Sequence, residues 1–348
     1  MLRYVLRRLA WMVPTLLGIT LVVFAAARAA PGDAVVASSS AGDPGLDVEA
    51  RREFFRAEQL YDQPFWKQYL HFLGPFDLSP RGHAVLGGTG EHPWHGLLAL
   101  DFGTEFARPG VSVGGEIRER LLVTVPLALL SILLAYGIAV PIGVLSAVRR
   151  GSAAERTASF ALFALHSVPG FWLGLMLVLL FGAAGLGWLP VVGLHDKDAD
   201  LLPPLARFWD TAKHMILPVA TLALPSLAYL SRHVKGALVE ALESDFVRAA
   251  RARGLPESAV VVRHALRSSL LPLVTLAGSI LPALIGGSVV VETVFSLPGM
   301  GLYAYEGILS RDLNVILATT TLSAALTLGG ILLADIAYAV VDPRIRHG

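Results

Sequence analysis

Long apolar stretches constrain this chain more than any other feature of its sequence. A helix that crosses a bilayer needs about 20 mostly apolar residues. Six stretches meet that requirement, at approximately residues 9–30, 120–147, 157–183, 214–234, 270–292 and 314–340. Only 16% of the residues are charged, whereas a soluble domain carries about a quarter. We therefore predict an all-α polytopic membrane protein with six transmembrane helices.

The fourth stretch differs from the others because Pro218 and Pro225 interrupt it. Proline at membrane depth is tolerated where neighbouring helices or cavity water satisfy the freed carbonyl groups. This pattern indicates an inward-facing helix that lines a cavity.

Orientation follows from the positive charges next to the spans, because arginine and lysine concentrate on the cytoplasmic side. Arginines occupy both ends of the chain and the connection between the second and third spans: Arg3, Arg7, Arg8, Arg149, Arg150, Arg156, Arg344 and Arg346. The connection at 184–213 instead carries Asp196, Asp198 and Asp200. Both termini are therefore predicted to be cytoplasmic.

The first span could alternatively be a signal peptide, since Ala27-Arg28-Ala29 imitates a cleavage site. Its apolar run is longer than the usual 7–15 residues of such peptides, at about 19 residues, so we favour a retained anchor. A polar segment rich in glycine and proline follows at 31–118. We divide the chain into residues 1–110, an anchor with an extracytoplasmic segment, and residues 111–348, a membrane core.

Signatures of catalysis are missing from the sequence. There are no cysteines, no Gly-Lys pair and hence no P-loop, and no HExxH or GxSxG motif. His92 and His95 have a metal-like spacing, but no third ligand is near them in the sequence, so we predict two solvated imidazoles and no metal site. A net charge of +1 gives no reason to expect a nucleic-acid partner.

Polar side chains at membrane depth are costly and often functional. Asp335 in the sixth span is expected to face protein for this reason. The residues that we predict to line a pathway are His166, Ser226, Tyr229, Ser288 and Glu292. The alternative is that each one satisfies a helix end or a neighbouring span.

A basic segment at 247–272 separates the fourth and fifth spans. Gly254 is a typical helix C-terminal signal, and a new helix can start after Pro256. Apolar residues precede and follow this turn in two helical stripes: Leu238, Leu242, Phe246 and Ala249, then Val262, Leu266 and Leu270. The pattern predicts a bent cytoplasmic hairpin over about 236–270. Anionic lipid could bind its arginines, but small residues around a glycine turn favour docking into a protein groove.

This hairpin resembles a known motif. "RAARARG", nine further residues and "HAL" are similar to the cytoplasmic EAA loop of binding-protein-dependent ABC importer permeases, in the variant found in dipeptide and oligopeptide permeases. Arg248 and Arg267 stand where the general pattern has Glu and Pro, and the peptide branch shares both departures.

Other segments carry the same resemblance in order along the chain: "MLRYVLRRLAWMVPTLLGITLVVF", "LDFGTEF", "SVPGFWLGLMLVLLF", "GGSVVVETVFSLPGMG" and "DPRIR". The resemblance implies a type I ABC importer permease core (MetI-like), and specifically the B-type subunit that pairs with a C-type permease in the inner (plasma) membrane.

In that family the hairpin is the coupling helix, which sits in a cleft of a separate ATPase subunit. The resemblance assigns this role to Asp245, Arg248, Ala249, Ala250, Arg251, Arg253, Gly254, Leu255 and Glu257. It implies as partners a C-type permease, one or two ABC ATPases, an extracytoplasmic substrate-binding protein and membrane lipid. The chain itself needs no cofactor, because the ATPases handle ATP and Mg²⁺.

Several functions remain as alternatives. The same machinery could import nickel chelates, glutathione or modified peptides rather than dipeptides or oligopeptides. A membrane-embedded enzyme would need its His, Asp and Glu residues in one site, yet they fall on different spans. A channel or secondary transporter is disfavoured by the coupling hairpin and by the lack of inverted-repeat symmetry.

Overall fold

The structure, a computed structural model, describes residues 2–29, 60, 62–74, 96–106, 108, 110–182, 184–269 and 289–341. Its α-helices are α1 (Leu2–Ala29), α2 (Phe65–Leu73), α3 (Val113–Val148), α4 (Ala153–His166), α5 (Gly170–Phe181), α6 (Pro204–Ala223), α7 (Leu227–Leu242), α8 (Asp245–Ala252), α9 (Glu257–Ala259), α10 (Leu266–Ser269), α11 (Val289–Val294), α12 (Met300–Leu309) and α13 (Leu313–Val341). A π-helix at Val260–Ala265 joins α9 to α10, and short 3-10 turns lie at Leu97–Ala99, Ala199–Leu201 and Leu224–Ser226. Strand pairing within these ranges is limited to one isolated bridge between Thr104 and Ser112.

The helical membrane fold predicted from the sequence is confirmed. Four helical segments in the described ranges are long and apolar enough to cross a membrane: Val5–Ala29, Val113–Val148, Pro204–Leu242 and Leu313–Leu333. The pair α4 and α5 supplies a fifth if it is counted as one broken span. Most of the fifth predicted span, 270–292, lies outside the described residues, so the count of six and the cytoplasmic termini stay predictions.

The third predicted span is not one continuous helix. Its two halves, α4 and α5, are bent by 98° where the chain passes from His166 to Gly170. Pro169 caps the start of α5 with φ −57° and ψ 134°. A proline disfavours the helical conformation at the residue before it, which explains why the hydrophobic run breaks at this point.

The fourth predicted span is the most buried of the four. Of its most apolar 18-residue window, 56% is buried, compared with 11% to 33% for the others. Pro218 lies within α6, and Pro225 lies in the 3-10 turn Leu224–Ser226 that joins α6 to α7. This burial agrees with the predicted inward-facing position, and the cavity that the helix was predicted to line stays a prediction.

The chain divides into two compact units by its internal contacts. The first unit comprises residues 1–6, 123–299 and 326–348. In it, α3 and α7 approach closely at Gly143, where an added Cβ would lie 2.6 Å from the Val234 Cβ and 2.7 Å from the Ser231 carbonyl oxygen. The loop after α5 is fixed in the same unit, because the Gly193 N–H donates to the Phe295 carbonyl oxygen at 2.8 Å.

The second unit comprises residues 7–122 and 300–325. Its segment "LDFGTEF" carries a buried carboxylate, Glu105, which accepts hydrogen bonds from Arg108 at 2.6 and 2.7 Å and from the Tyr303 hydroxyl at 2.8 Å. Arg120 lies over the Tyr303 ring, 5.2 Å from its centroid. These contacts attach the loop before α3 to helix α12.

Candidate coupling site

The basic hairpin begins at a break between two helices. Helix α7 ends at Leu242, and Ser244 precedes α8 with an extended backbone (φ −75°, ψ 157°). Asp245 occupies the first turn of α8, where a negative charge stabilises the positive end of the helix dipole. Helix α8 is therefore a separate element and not a continuation of the membrane helix.

Gly254 reverses the chain between α8 and α9. Its φ is +75°, in the left-handed region that favours glycine, and its N–H donates to the Arg251 carbonyl oxygen at 2.9 Å. Pro256 then precedes α9 in an extended conformation. An added Cβ at Gly254 would meet no atom within 4 Å among the described residues, so the need for glycine comes from the backbone and not from crowding.

One face of the hairpin packs on the membrane helices. The residues that form this cluster are Val247, Ala250, Val260, Val261 and Ala265 of the hairpin, together with Ala147 of α3 and Leu238 and Ala241 of α7. Because the cluster joins the hairpin to two membrane helices, a displacement of the hairpin would be transmitted to those helices.

The two apolar stripes predicted from the sequence are wrong in part. Leu238 is buried, but Phe246 is 47% exposed and Ala249 is also exposed. The break at Ser244 rotates α8 relative to α7, which brings Val247 inward instead. In the second stripe Val262 is 61% exposed, because the wider winding of the π-helix changes which residues face inward.

The outward face of the hairpin contains most of the predicted coupling residues. Eight of the predicted residues are exposed: Asp245, Arg248, Ala249, Arg251, Arg253, Gly254, Leu255 and Glu257. Ala250 is fully buried, so it supports the hairpin from within and cannot contact a partner in this conformation. Phe246 and Leu255 add exposed apolar surface to this face.

The arginines on this face already have partners within the chain. Arg251 donates to both carboxylate oxygens of Glu257, at 3.1 and 2.6 Å, and Arg248 lies 3.3 Å from Asp245. The hydrogen bond and charge of Arg251 lower the pKa of Glu257, and the same pair raises the pKa of Arg251. A partner would therefore meet a surface in which part of the positive charge is already compensated.

Three of the predicted pathway residues lie near one another in the first unit. The His166 ring lies 2.8 Å from the Pro225 carbonyl oxygen, Ser226 follows that proline, and Tyr229 is one helical turn further on. Glu292 lies elsewhere, fully buried, with a hydrogen bond from Thr124 at 3.3 Å. Ser288 lies outside the described residues, as do His92 and His95, and Asp335 is half-buried in α13.

Sequence reasoning missed the break that rotates α8 and the inward residues that result from it. Ser244-Asp245 is a typical helix start, in which a capping residue is followed by an acid in the first turn. That signal, read alone, would have separated α8 from α7 and placed Val247 and Ala250 inside.

Helices of membrane-crossing length, with a basic hairpin packed on two of them, define an integral membrane protein. Comparison with known proteins supports this class. Residues 139–347 match the family described as binding-protein-dependent transport system inner membrane component. The chain belongs to this family.

Full-length relatives carry the similarity beyond that match. The oligopeptide transport system permease protein AppB of Bacillus subtilis (strain 168) is 37% identical over 347 residues and covers 100% of both chains. The dipeptide transport system permease protein DppB of Escherichia coli (strain K12) is 33% identical, covering 100% of this chain and 99% of its own. OppB of Haemophilus influenzae, an oligopeptide permease protein, is 33% identical over 348 residues.

Family membership places the chain in the inner membrane as the permease component of an ABC transport system. Such a system includes ATPase subunits and a substrate-binding protein. The words 'binding-protein-dependent' in the family's description refer to the substrate-binding protein.

Proposed function

We propose that this chain is the B-type permease subunit of an ATP-driven peptide importer, and that it forms the translocation pathway together with a C-type permease. The observation that carries the proposal is similarity along the whole length of peptide permeases from three different bacteria. The similarity includes the first 138 residues, which lie before the family match. Dipeptide and oligopeptide cargo in those relatives favours peptides over nickel chelates or glutathione.

We further propose that the outward face of the hairpin docks into a cleft of the ATPase. Two features support this role. The turn at Gly254 is narrow, since it has no side chain, and the exposed Ala249, Phe246 and Leu255 offer apolar surface next to it. Exposed ion pairs contribute little to binding, and two of the arginines are already paired, so shape and apolar contact supply most of the affinity.

Movement of the ATPases would then reach the membrane through the buried side of the hairpin. Val247 and Ala250 pack against Ala147 and Leu238, which belong to the membrane helices α3 and α7. Tightly packed interiors transmit displacement because they are only slightly compressible. Closure of two ATPases on ATP would therefore move α3 and α7 and switch the cavity from inward to outward access, a rigid-body transition.

We also propose roles for the predicted pathway residues and for the two parts of the chain. His166, Ser226 and Tyr229 line part of the pathway in the core, residues 111–348, while residues 1–110 form the anchor and the extracytoplasmic segment that faces the binding protein. Ser288 and Glu292 are assigned to the pathway on the sequence pattern.

Transport by reconstituted components tests the proposal. Proteoliposomes containing this chain, a C-type permease, the ATPases and the binding protein should accumulate a labelled dipeptide only when ATP is supplied on the ATPase side. Excess unlabelled dipeptide should suppress uptake, whereas a nickel chelate or glutathione should not. ATP hydrolysis by the purified chain alone, or uptake that only glutathione or the chelate suppresses, would contradict the proposal.

A further inference from the structure

A cluster of two carboxylates and an imidazole lies where the loop after α5 meets helix α6. Asp196 belongs to the loop, and Asp210 and His214 lie one turn apart on α6. Each of the three offers one ligating atom, and these atoms all lie within 4.8 Å of one another. All three residues belong to the first compact unit.

His214 is the unusual member of this cluster. Its side chain is 1% exposed, and its Nδ1 lies 2.9 Å from the Asp210 carbonyl oxygen. A carbonyl oxygen only accepts, so Nδ1 carries a proton, and in the neutral form of the ring the lone pair lies at Nε2. That Nε2 is buried without a hydrogen-bond partner in the described part of the chain, and it faces the Asp196 carboxylate, 3.7 Å from Oδ1.

Asp210 holds the other two residues in place. Its Oδ2 accepts the backbone N–H of Asp196 at 3.0 Å, which fixes the loop against the helix. Its Oδ1 lies 3.5 Å from the His214 Nδ1. A further titratable group beside the cluster is His195, whose Nδ1 is 3.9 Å from the Asp210 Oδ2 and 3.0 Å from the Thr211 hydroxyl.

These internal contacts orient Asp210, whose carboxylate keeps further lone pairs for a ligand, and they use one nitrogen of His214. They leave the buried Nε2 facing the Asp196 carboxylate, and a neutral imidazole has no proton on that nitrogen to donate to it. A cation between them would satisfy both. The imidazole is oriented as in metal sites generally, where a ligating histidine donates its second N–H to a carbonyl or carboxylate.

We propose that Asp196, Asp210 and His214 form a binding site for a divalent transition-metal ion of the zinc class. An imidazole nitrogen with carboxylate oxygens is a donor set that zinc accepts, whereas calcium and magnesium prefer oxygen ligands alone. Three protein ligands leave one tetrahedral position for water. The ion would join the outer loop to α6, so its effect is to fix the loop that follows the broken span.

Zinc binding to the full chain tests the proposal. The chain, purified in detergent and stripped with a chelator, is titrated with Zn²⁺ against a chromogenic chelator, and Co²⁺ is added in parallel to record its d–d absorption. We expect one Zn²⁺ per chain and a tetrahedral Co²⁺ spectrum. Asp196→Asn and His214→Gln should each lower the zinc affinity about tenfold or more, whereas Asp198→Asn, an exposed acid of the same loop, should not.

Asp196→Asn keeps the result interpretable, because this side chain is exposed and its backbone bond to Asp210 is unchanged by the substitution. Its thermal midpoint without zinc should equal that of the parent chain. The proposal is overturned if the parent chain binds no zinc above the level of His214→Gln, or if Asp196→Asn and Asp198→Asn bind equally well. A cluster stabilised only by protonation of His214 at low pH, with no response to zinc, would also overturn it.

Discussion

Arg251 and Glu257 form a bidentate ion pair that spans the reversal of the hairpin. The Arg251 Nη2 lies 2.6 Å from the Glu257 Oε1, and its Nε lies 3.1 Å from Oε2. One residue belongs to the end of α8 and the other to the start of α9, with Gly254 between them. The pair therefore joins the two arms of the proposed docking surface.

The titration of Glu257 should report this pair. The pair lowers the pKa of Glu257, so its stabilisation of the hairpin is fully present above the ordinary glutamate pKa, about 4.3, and is lost as the pH falls through the lowered value. Carboxyl ¹³C NMR of the labelled side chain should give a midpoint below the ordinary value. Arg251→Gln should return that midpoint to the ordinary range, and an unchanged midpoint would show that the pair does not form in solution.

Substitution of the neighbouring residues Ala249 and Ala250 should have different effects. Ala250 is fully buried against α3 and α7, so Ala250→Leu overpacks that cluster and should destabilise the chain by about 1–3 kcal/mol. Ala249 is exposed, so Ala249→Leu should leave the thermal midpoint unchanged while it weakens co-purification of the ATPase. Equal loss of stability in both variants would contradict the orientation of α8.

The sequence predicted where the helices lie better than it predicted which of their residues are buried. The first, second, fourth and sixth spans and the glycine turn at 254 are encoded in local runs, and the structure has them where expected. The break at Pro169 and the rotation at Ser244 depend on how a helix ends, which hydrophobic periodicity does not register. The proximity of Asp196 to His214 was beyond prediction for another reason, since it arises when a loop folds back on a helix.

Close packing of α3 on α7 should be sensitive to a single methyl group. Gly143→Ala would place a Cβ against Val234 and the Ser231 carbonyl, and we expect a loss of about 1–3 kcal/mol in stability. Gly137 is on the same helix, where a Cβ would meet no described atom within 4 Å. Gly137→Ala should not lower the thermal midpoint of the purified chain, because alanine favours a helix more than glycine does; if both variants lower it equally, the contact of Gly143 with Val234 and Ser231 is not the cause.

The predicted topology can be tested with reporter fusions. The arginine bias places Asp198 outside the cytoplasm and Pro256 inside it. Alkaline phosphatase joined after Asp198 should therefore be active, and a fluorescent protein joined after Pro256 should fluoresce. Both reporters on the same side of the membrane would exclude the orientation on which the coupling role depends.

Two glycines offer the most direct test of the coupling role. Gly254 and Gly151 both have positive φ, +75° and +81°, and neither would bring an added Cβ within 4 Å of another described atom. Valine should therefore strain both backbones similarly, by about 1–2 kcal/mol. Only Gly254 lies on the proposed docking surface; Gly151 lies in the connection between α3 and α4.

The decisive measurement is co-purification of the ATPase with each valine variant, alongside ATP-dependent peptide uptake. We predict that Gly254→Val inserts in the membrane at parental levels yet loses the ATPase and uptake, while Gly151→Val retains both. If Gly254→Val kept the ATPase and full uptake, or if Gly151→Val lost them to the same extent, the hairpin would not be the docking element and the central claim would be wrong.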